Sequence, residues 1–374
     1  MSRSFAVPFV LFAAICASCS SSGPEASSSV ASVAESALDT LTPAQHAGQR
    51  IIYSYRGLTP PQALLDRIRA GEAAGVHFWS DNISSPSQIQ ASIAELVKAQ
   101  EQSPIRAPLL LITDQEGGPN RAMSGEPLIS EKQIGLSPNG VELASRAGTD
   151  AGENLHSVGL NVNLAPVLDV FREPGNFIDQ FERSYSNDPN VVRRLGRSFI
   201  TAQQEVGVAS GAKHFPGLGS AAANENTDEA PVTLNVSRAT LRHVDEVPYI
   251  AAISAGVKVV MVSWATYPSL DGDRPAGLSS IVLQQELRGH LGFKGVTISD
   301  TLIAGALTPF GTVGQRGVLA AQAGIDLLLC SFGDVSQGDE AKGALADALQ
   351  NGQLEKADFK AALRRITALR NDLR

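Results

Sequence analysis

Apolar and polar positions follow two alternating rhythms along most of this chain. From about residue 50, short aliphatic or β-branched runs of strand length give way to longer stretches in which apolar residues recur at helical spacing. The strand-like runs are Arg50–Tyr55, Val76–Ser80, Leu109–Thr113, Asn161–Val170, Val206–His214, Lys258–Trp264, Gly295–Ser299 and Ile325–Cys330. Helices are predicted between them over 61–74, 86–101, 140–157, 190–205, 237–255, 281–291 and 314–323, with two more at 338–349 and 356–371. Thr59-Pro60-Pro61, Ser237 and Ser279-Ser280 read as helix-starting signals. Gly75, Gly159, Gly256 and Gly324 read as helix-ending ones before the next strand.

Strand and helix in strict alternation imply parallel pairing with right-handed crossovers. Eight such units in roughly 280 residues match a closed α/β barrel of the (β/α)₈ TIM type. A doubly wound open sheet is the runner-up, but no Gly-x-Gly-x-x-Gly turn follows the first strand. Neither a repeat nor a second domain is evident, so residues 45–374 are assigned to one barrel domain.

The residues before it have another character. Arg3 precedes an apolar run from Phe5 to Ile15, too short to span a bilayer and suited to a signal peptide over 1–18. Small residues before Cys19 resemble a bacterial lipobox, which would make Cys19 the lipidated first residue of the mature protein. Cys16 departs from that pattern, and a simple secretory signal is the alternative. Residues 19–44 are rich in Ser and Ala and read as a flexible tether. The expectation is an exported protein, lipid-anchored on the outer face of the cell membrane or secreted.

Composition adds mostly exclusions. At 43% hydrophobic and 18% charged the 374 residues are ordinary for a globular chain. A formal net charge of -8 without a basic cluster argues against nucleic acid as a partner. Cleavage before Cys19 would leave Cys330 alone in the domain, closing an apolar run as a buried thiol, so disulfide and cysteine-metal chemistry are not expected.

In a (β/α)₈ barrel, chemistry belongs at the C-terminal strand ends. Polar residues recur there. Strand three is followed by Asp114-Gln115-Glu116-Gly117-Gly118, strand four by a run ending in Asp169, and strand five ends in Lys213-His214. Strand six ends in Ser263-Trp264 and strand seven in Ser299-Asp300. Carboxylates with a few cations, no phosphate-cradling glycine loop and no metal cluster suit a neutral polyhydroxylated ligand. Glycoside hydrolysis needs two acidic or acid-capable groups flanking the scissile bond. Trp264 is read either as a sugar-stacking ring or as a buried structural one.

These motifs, taken together, resemble the single-domain β-N-acetylglucosaminidases of glycoside hydrolase family 3. The resemblance runs from about residue 45 to the end. It rests on Asp114 to Gly118, Gly159 to Asp169, Arg183-Ser184-Tyr185, Lys213-His214-Phe215-Pro216-Gly217 and Leu291 to Asp300, in that order. It implies that Asp300 is the nucleophile of a retaining mechanism and that Asp114, Arg183, Lys213 and His214 bind the non-reducing sugar. Met261 matches a position lining the sugar pocket.

One departure is large. The family's strand-five loop normally continues into a catalytic Asp-Ser-His, where this chain has Asn224-Glu225-Asn226. None of its six histidines lies in this loop. Asparagine delivers no proton. The nearby acids are Glu225, Asp228 and Glu229, and similarity to relatives carrying Asn-Thr-Asp here puts Asp228 first and Glu225 second as acid/base. The loop 220–223, Ser-Ala-Ala-Ala, is expected to be unencumbered and able to fold over a sugar. After Gly118 the family usually has Arg-Val-x-Arg; here Arg121 stands shifted, after Pro119-Asn120.

The functional expectation is an exo-acting, retaining β-N-acetylhexosaminidase that cleaves muropeptide or chitin-type fragments. It needs no cofactor or metal and works as a monomer, with membrane contact only through a lipid anchor. The alternatives are a sugar-binding lipoprotein that has lost its acid/base, and a β-glucosidase or phosphorylase variant.

Overall fold

A computed structural model describes residue 1, residues 40–331 and residues 333–373. The leader expected over 1–18 (apart from residue 1), Cys19 and most of the tether lie outside the described residues. One compact unit spans Leu41–Arg374. It starts a few residues ahead of the expected boundary at 45, because Thr42 caps a short helix, Pro43–Gly48, by accepting from Gln45 N.

Eight parallel strands close into a barrel. They are β1 (Ile51–Tyr53), β2 (Gly75–His77), β3 (Leu110–Thr113), β4 (Val162–Asn163), β5 (Ala209–Phe215), β6 (Val259–Val262), β7 (Val296–Thr301) and β8 (Leu327–Leu329). Each pairs with its chain neighbours, and β8 closes the ring on β1 through Ile51↔Leu328. All eight predicted strands are present, though most are shorter than the apolar runs that announced them. The run 161–170 is the clearest case: only Val162 and Asn163 join the ladder, and the remainder leaves it as a buried segment touching β5 through Val167↔Lys213.

The nine predicted helices are present, the eight between 86 and 372 close to their predicted limits. Their starting signals need correction in two places. Pro61, extended at φ -71° and ψ 151°, occupies the cap position of Gln62–Arg69, so Thr59 is two residues too early and no side chain caps this helix. At the later start it is Ser279, rather than Ser280, whose Oγ accepts from Val282 N. Gly159, Gly256 and Gly324 stand at positive φ as expected. Gly75 does not: it is the first residue of β2, where an added Cβ would lie 2.1 Å from Leu110 O. The reason for glycine there is close strand approach.

The barrel interior is filled by aliphatic side chains from all eight strands or their approaches, including Ile52, Ala74, Ile112, Val162, Leu164, Met261, Ile298 and Leu329. Ile366 and Leu369 of the helix Lys356–Asp372 join this cluster at the N-terminal ends of the strands and seal that end. Fully buried Asp326 sits beside this seal, paired with Arg288 at 2.8 Å and Arg365 at 2.7 Å. Buried charge of this kind is tolerable only when fully paired. The open end is therefore the one carrying the C-terminal strand tips.

Candidate active site

The cavity at that end has a volume of about 440 Å³. Leu164, Met261 and Leu329 belong both to the barrel core and to its lining, so its floor is the top layer of the core. Asp114 follows β3, Lys213 and His214 lie in β5, and Asp300 lies in β7; all four line the cavity. Arg183 reaches it from the long segment after β4, and Asp228 from the loop after β5. A small antiparallel hairpin, Gln115–Gly117 with Asn120–Arg121, follows β3 and brings in Glu116 and Arg121.

One wall is a continuous ion network. Lys213 Nζ lies 2.5 Å from Asp114 Oδ1 and 2.8 Å from Glu116 Oε1. Arg183 grips Glu116 with both prongs, Nε to Oε2 and Nη2 to Oε1, each at 2.8 Å. His77 Nε2 meets the second Asp114 oxygen at 2.9 Å. Burial pushes both carboxyls up, but the cations more than reverse it. Lys213 and His77 hold Asp114 well below the usual carboxylate range, and Arg183 with Lys213 holds Glu116 at about 2. Burial would pull the Lys213 ammonium down, and Asp114 and Glu116 instead raise it. The pairing thus favours the charged forms of Asp114, Glu116 and Lys213 at neutral pH. Such bidentate, charge-assisted contacts fix side chains in place.

His214 belongs to the same wall but is oriented from behind. Asp169 Oδ2 lies 2.8 Å from its Nδ1, and Asp169 Oδ1 accepts from Leu218 N at 2.7 Å. The other ring nitrogen, Nε2, lies 3.4 Å from Arg183 Nη2. Deeper still, Glu131 Oε1 accepts from Val167 N at 2.9 Å, and burial followed by the charge of Glu116 raises this carboxyl well above its usual range. It braces the backbone after β4.

Across the cavity stand two acids with no cation bonded to them among the described residues. Asp300 accepts from Thr301 N, at 2.6 Å. Asp228 has no ion pair among the described residues; its pKa rises to about 6, first through burial and then through the charge of Asp300. Solvent still reaches the Asp228 side chain in the open cavity. The burial contribution would therefore grow when a ligand covers the mouth.

Several expectations about the loop change. Ser220 to Ala223 is not an unencumbered flap. Gly219 O accepts from Arg172 N at 2.8 Å and from Asn176 Nδ2 at 2.7 Å, while Gln180 Nε2 donates to Ala223 O at 2.8 Å. The loop is stitched to the segment after β4. On its far side, Gly305 N donates to Asp228 O at 2.8 Å, tying it to the chain just beyond Asp300. Glu225 is not in the cavity wall; its Oε2 turns back to accept from Ala222 N at 2.7 Å. Trp264 is structural, 1% exposed, with Nε1 donating to Thr301 O at 2.9 Å. Arg121 does line the cavity, though Gly118 O holds its Nε at 2.5 Å.

Sequence reasoning passed over His77, Glu116 and Asp169 as functional groups. The last two stood inside quoted motifs, but His77 lies within the run Val76–Ser80 with nothing in the sequence linking it to Asp114.

Residues 56–369 match the Glycosyl hydrolase family 3 N terminal domain. An uncharacterized secreted glycosyl hydrolase of Arthroderma benhamiae is 44% identical over 332 residues, covering 88% of this chain and 94% of that protein. Among solved structures, a glycoside hydrolase family 3 β-N-acetylglucosaminidase from Paenibacillus sp. superposes with a TM-score of 0.84 at 32% identity. It covers 89% of this chain, which spans 63% of that larger protein. A β-N-acetylhexosaminidase from Beutenbergia cavernae superposes with a TM-score of 0.81 at 30% identity, covering 88% of this chain and 99% of that one.

Proposed function

The chain belongs to glycoside hydrolase family 3, and we propose that this hydrolase is an exo-acting, retaining β-N-acetylhexosaminidase with Asp300 as nucleophile and Asp228 as acid/base. The observation that carries the reading is the division of the cavity's four carboxylates. Asp114 and Glu116 are paired with Lys213 and Arg183, whereas Asp228 and Asp300 have no ion pair among the described residues. Retaining glycosidases need one ionised carboxylate to attack and one protonated carboxyl to assist the leaving oxygen, and two neighbouring acids, of which Asp228 has its pKa raised, suit that pair of roles.

The steps follow. A terminal sugar enters with its hydroxyls on Asp114, Lys213, His214 and Arg183; the wall's fixed charges orient it without being titrated. Asp300 attacks the anomeric carbon as Asp228 gives its proton to the departing oxygen, leaving a glycosyl-enzyme. Water, deprotonated by Asp228, then displaces Asp300 with overall retention. The floor of Leu164, Met261 and Leu329 closes the cavity at one end, which favours release of single sugars from a chain terminus. The two solved relatives named for N-acetylglucosamine or N-acetylhexosamine support the choice of sugar. Muropeptide or chitin-type fragments fit as natural substrates, and export, the trait named in the fungal relative, fits the leader-like N-terminus.

Hydrolysis of an aryl β-N-acetylglucosaminide by the wild type and Asp300→Ala tests the reading. A 2-fluoro glycoside should add its sugar mass to Asp300 in the wild type alone. Equal rates in both proteins, no turnover of the activated substrate, or a clear preference for the aryl β-glucoside would overturn it. A rate rising with phosphate concentration would redirect it to phosphorolysis.

A further inference from the structure

We infer that this chain carries a second site, remote from the cavity, for a divalent cation of the zinc type, held by Glu246, Glu286 and His290. None of the three lines the cavity. Glu246 lies in the helical stretch 238–254 that follows β5, and the other two lie in the helix Ile281–His290 that follows β6. One ligand atom from each, two carboxylate oxygens and an imidazole nitrogen, lie within 4.8 Å of one another.

The telling residue is Glu246. It is 0% exposed, yet among the described residues no N–H or O–H donates to either of its carboxylate oxygens. A buried carboxylate normally has its oxygens satisfied by donors or by a cation. What faces it is another carboxylate, Glu286, itself 2% exposed. The guanidinium of Arg242 grips Glu286 from one side, Nε to Oε1 at 2.6 Å and Nη2 to Oε2 at 2.9 Å. A carboxylate offers about four lone-pair directions, so the fork leaves acceptor capacity on Glu286 while fixing its plane, as an outer-shell partner fixes a metal ligand.

His290 completes the set. It stands one helical turn beyond Glu286, on the same face, and is exposed. It supplies both a nitrogen donor and the route by which an ion would enter. Two carboxylates and one imidazole suit zinc; a magnesium or calcium site would be built from oxygen alone. The bound ion would tie the helix after β5 to the helix after β6. Asp245, adjacent to Glu246, reaches inward to Arg172 at 2.6 Å, so this cross-link would brace the outer layer behind the strand-five loop. It is a structural site, and it stands whether or not the sugar chemistry above is right.

The test uses the full chain, dialysed against a chelator, with zinc chloride added in isothermal titration and in thermal melts. The wild type should bind one equivalent per chain and melt at a higher temperature with zinc than without, since an ion bound only by the folded state stabilises it. His290→Ala should weaken binding by ~10- to 100-fold or more, Glu246→Gln should abolish it, and both should hydrolyse the aryl glycoside as the wild type does. No stoichiometric binding by the wild type would overturn the inference. So would equal binding by wild type and both variants, which would place the ion elsewhere. If Glu246 and Glu286 instead share a proton, Glu246→Gln should melt at or above the wild type and zinc should change neither protein, which also refutes the site.

Discussion

The two walls of the cavity are built from the same residue type on opposite principles. On the β3–β5 side, every carboxylate is matched by a cation at bonding distance, and Asp114 and Glu116 are held ionised across the whole physiological range. On the other side, Asp300 and Asp228 face each other without a bonded cation, and Asp228 holds its proton up to about 6. The first wall has spent its proton affinity on rigidity. On the proposed reading this wall orients the sugar, while the second supplies a carboxylate to attack and a neighbour whose pKa lies near working pH. Binding and chemistry would then be separated by how completely charge is compensated.

Breaking the second wall should have the largest effect. Asp228→Asn keeps the size and removes the proton, so hydrolysis of substrates with poor leaving groups should fall by ~10²- to 10⁴-fold. Activated aryl substrates should still form the glycosyl-enzyme, and azide should rescue its turnover. Because the first step requires protonated Asp228, wild-type kcat/KM on a poor leaving group should decline as pH rises through about 6, and the variant should lose that limb. A full pH–rate profile of both proteins decides it; an unchanged limb in Asp228→Asn would move the acid elsewhere.

Breaking the first wall should cost stability and binding together. Glu116→Gln removes the carboxylate that Arg183 grips and one of the two paired with Lys213, and removal of one partner from a buried pair costs about 3–5 kcal/mol. The melting temperature should drop and KM should rise. The acid dependence has a defined sign. The folded pKa of Glu116 is depressed to about 2 from an ordinary value of ~4.3, so its contribution is present above the ordinary value and is lost as pH falls through about 2. Wild-type stability should therefore fall over that window more steeply than the variant's, as melts in acidic buffers would show.

How much of this was legible in the sequence follows from what sequence signals report. The barrel was legible because eight apolar runs alternate with helical periods, a pattern that burial on both strand faces enforces. Asp300 and Lys213-His214 were legible because polar residues interrupt those runs at their ends. The hairpin carrying Glu116 was not: it is only a few residues long, and its glycines signal turn without saying which way. His77 was invisible because its partner, Asp114, is brought beside it only by the pairing of β2 with β3. The loop after β5 was misjudged for a related reason. Small residues there suggested freedom, whereas their real use is to let backbone carbonyls be reached from the segment 172–180 on one side and from Gly305 on the other.

That last contrast yields the two finest predictions. Gly305 is the point where the chain beyond Asp300 meets the loop, and a Cβ there would lie 2.0 Å from Glu229 O. Gly305→Ala must push the loop away and shift Asp228 relative to Asp300. Misplacement of a catalytic group by about an ångström costs up to ~10²-fold, so kcat should fall by about ten- to a hundredfold while KM, set by the opposite wall, changes little. Glu225→Gln probes the same loop where it carries no chemistry. The amide oxygen can still accept from Ala222 N, as the carboxylate does now, and the lost charge lies outside the cavity. Its effect should stay within about 0.5 kcal/mol, the range of surface changes, which is roughly a twofold change in kcat/KM. A loss approaching that of Asp228→Asn would mean that the loop closes on the sugar in another register and that the acid is Glu225.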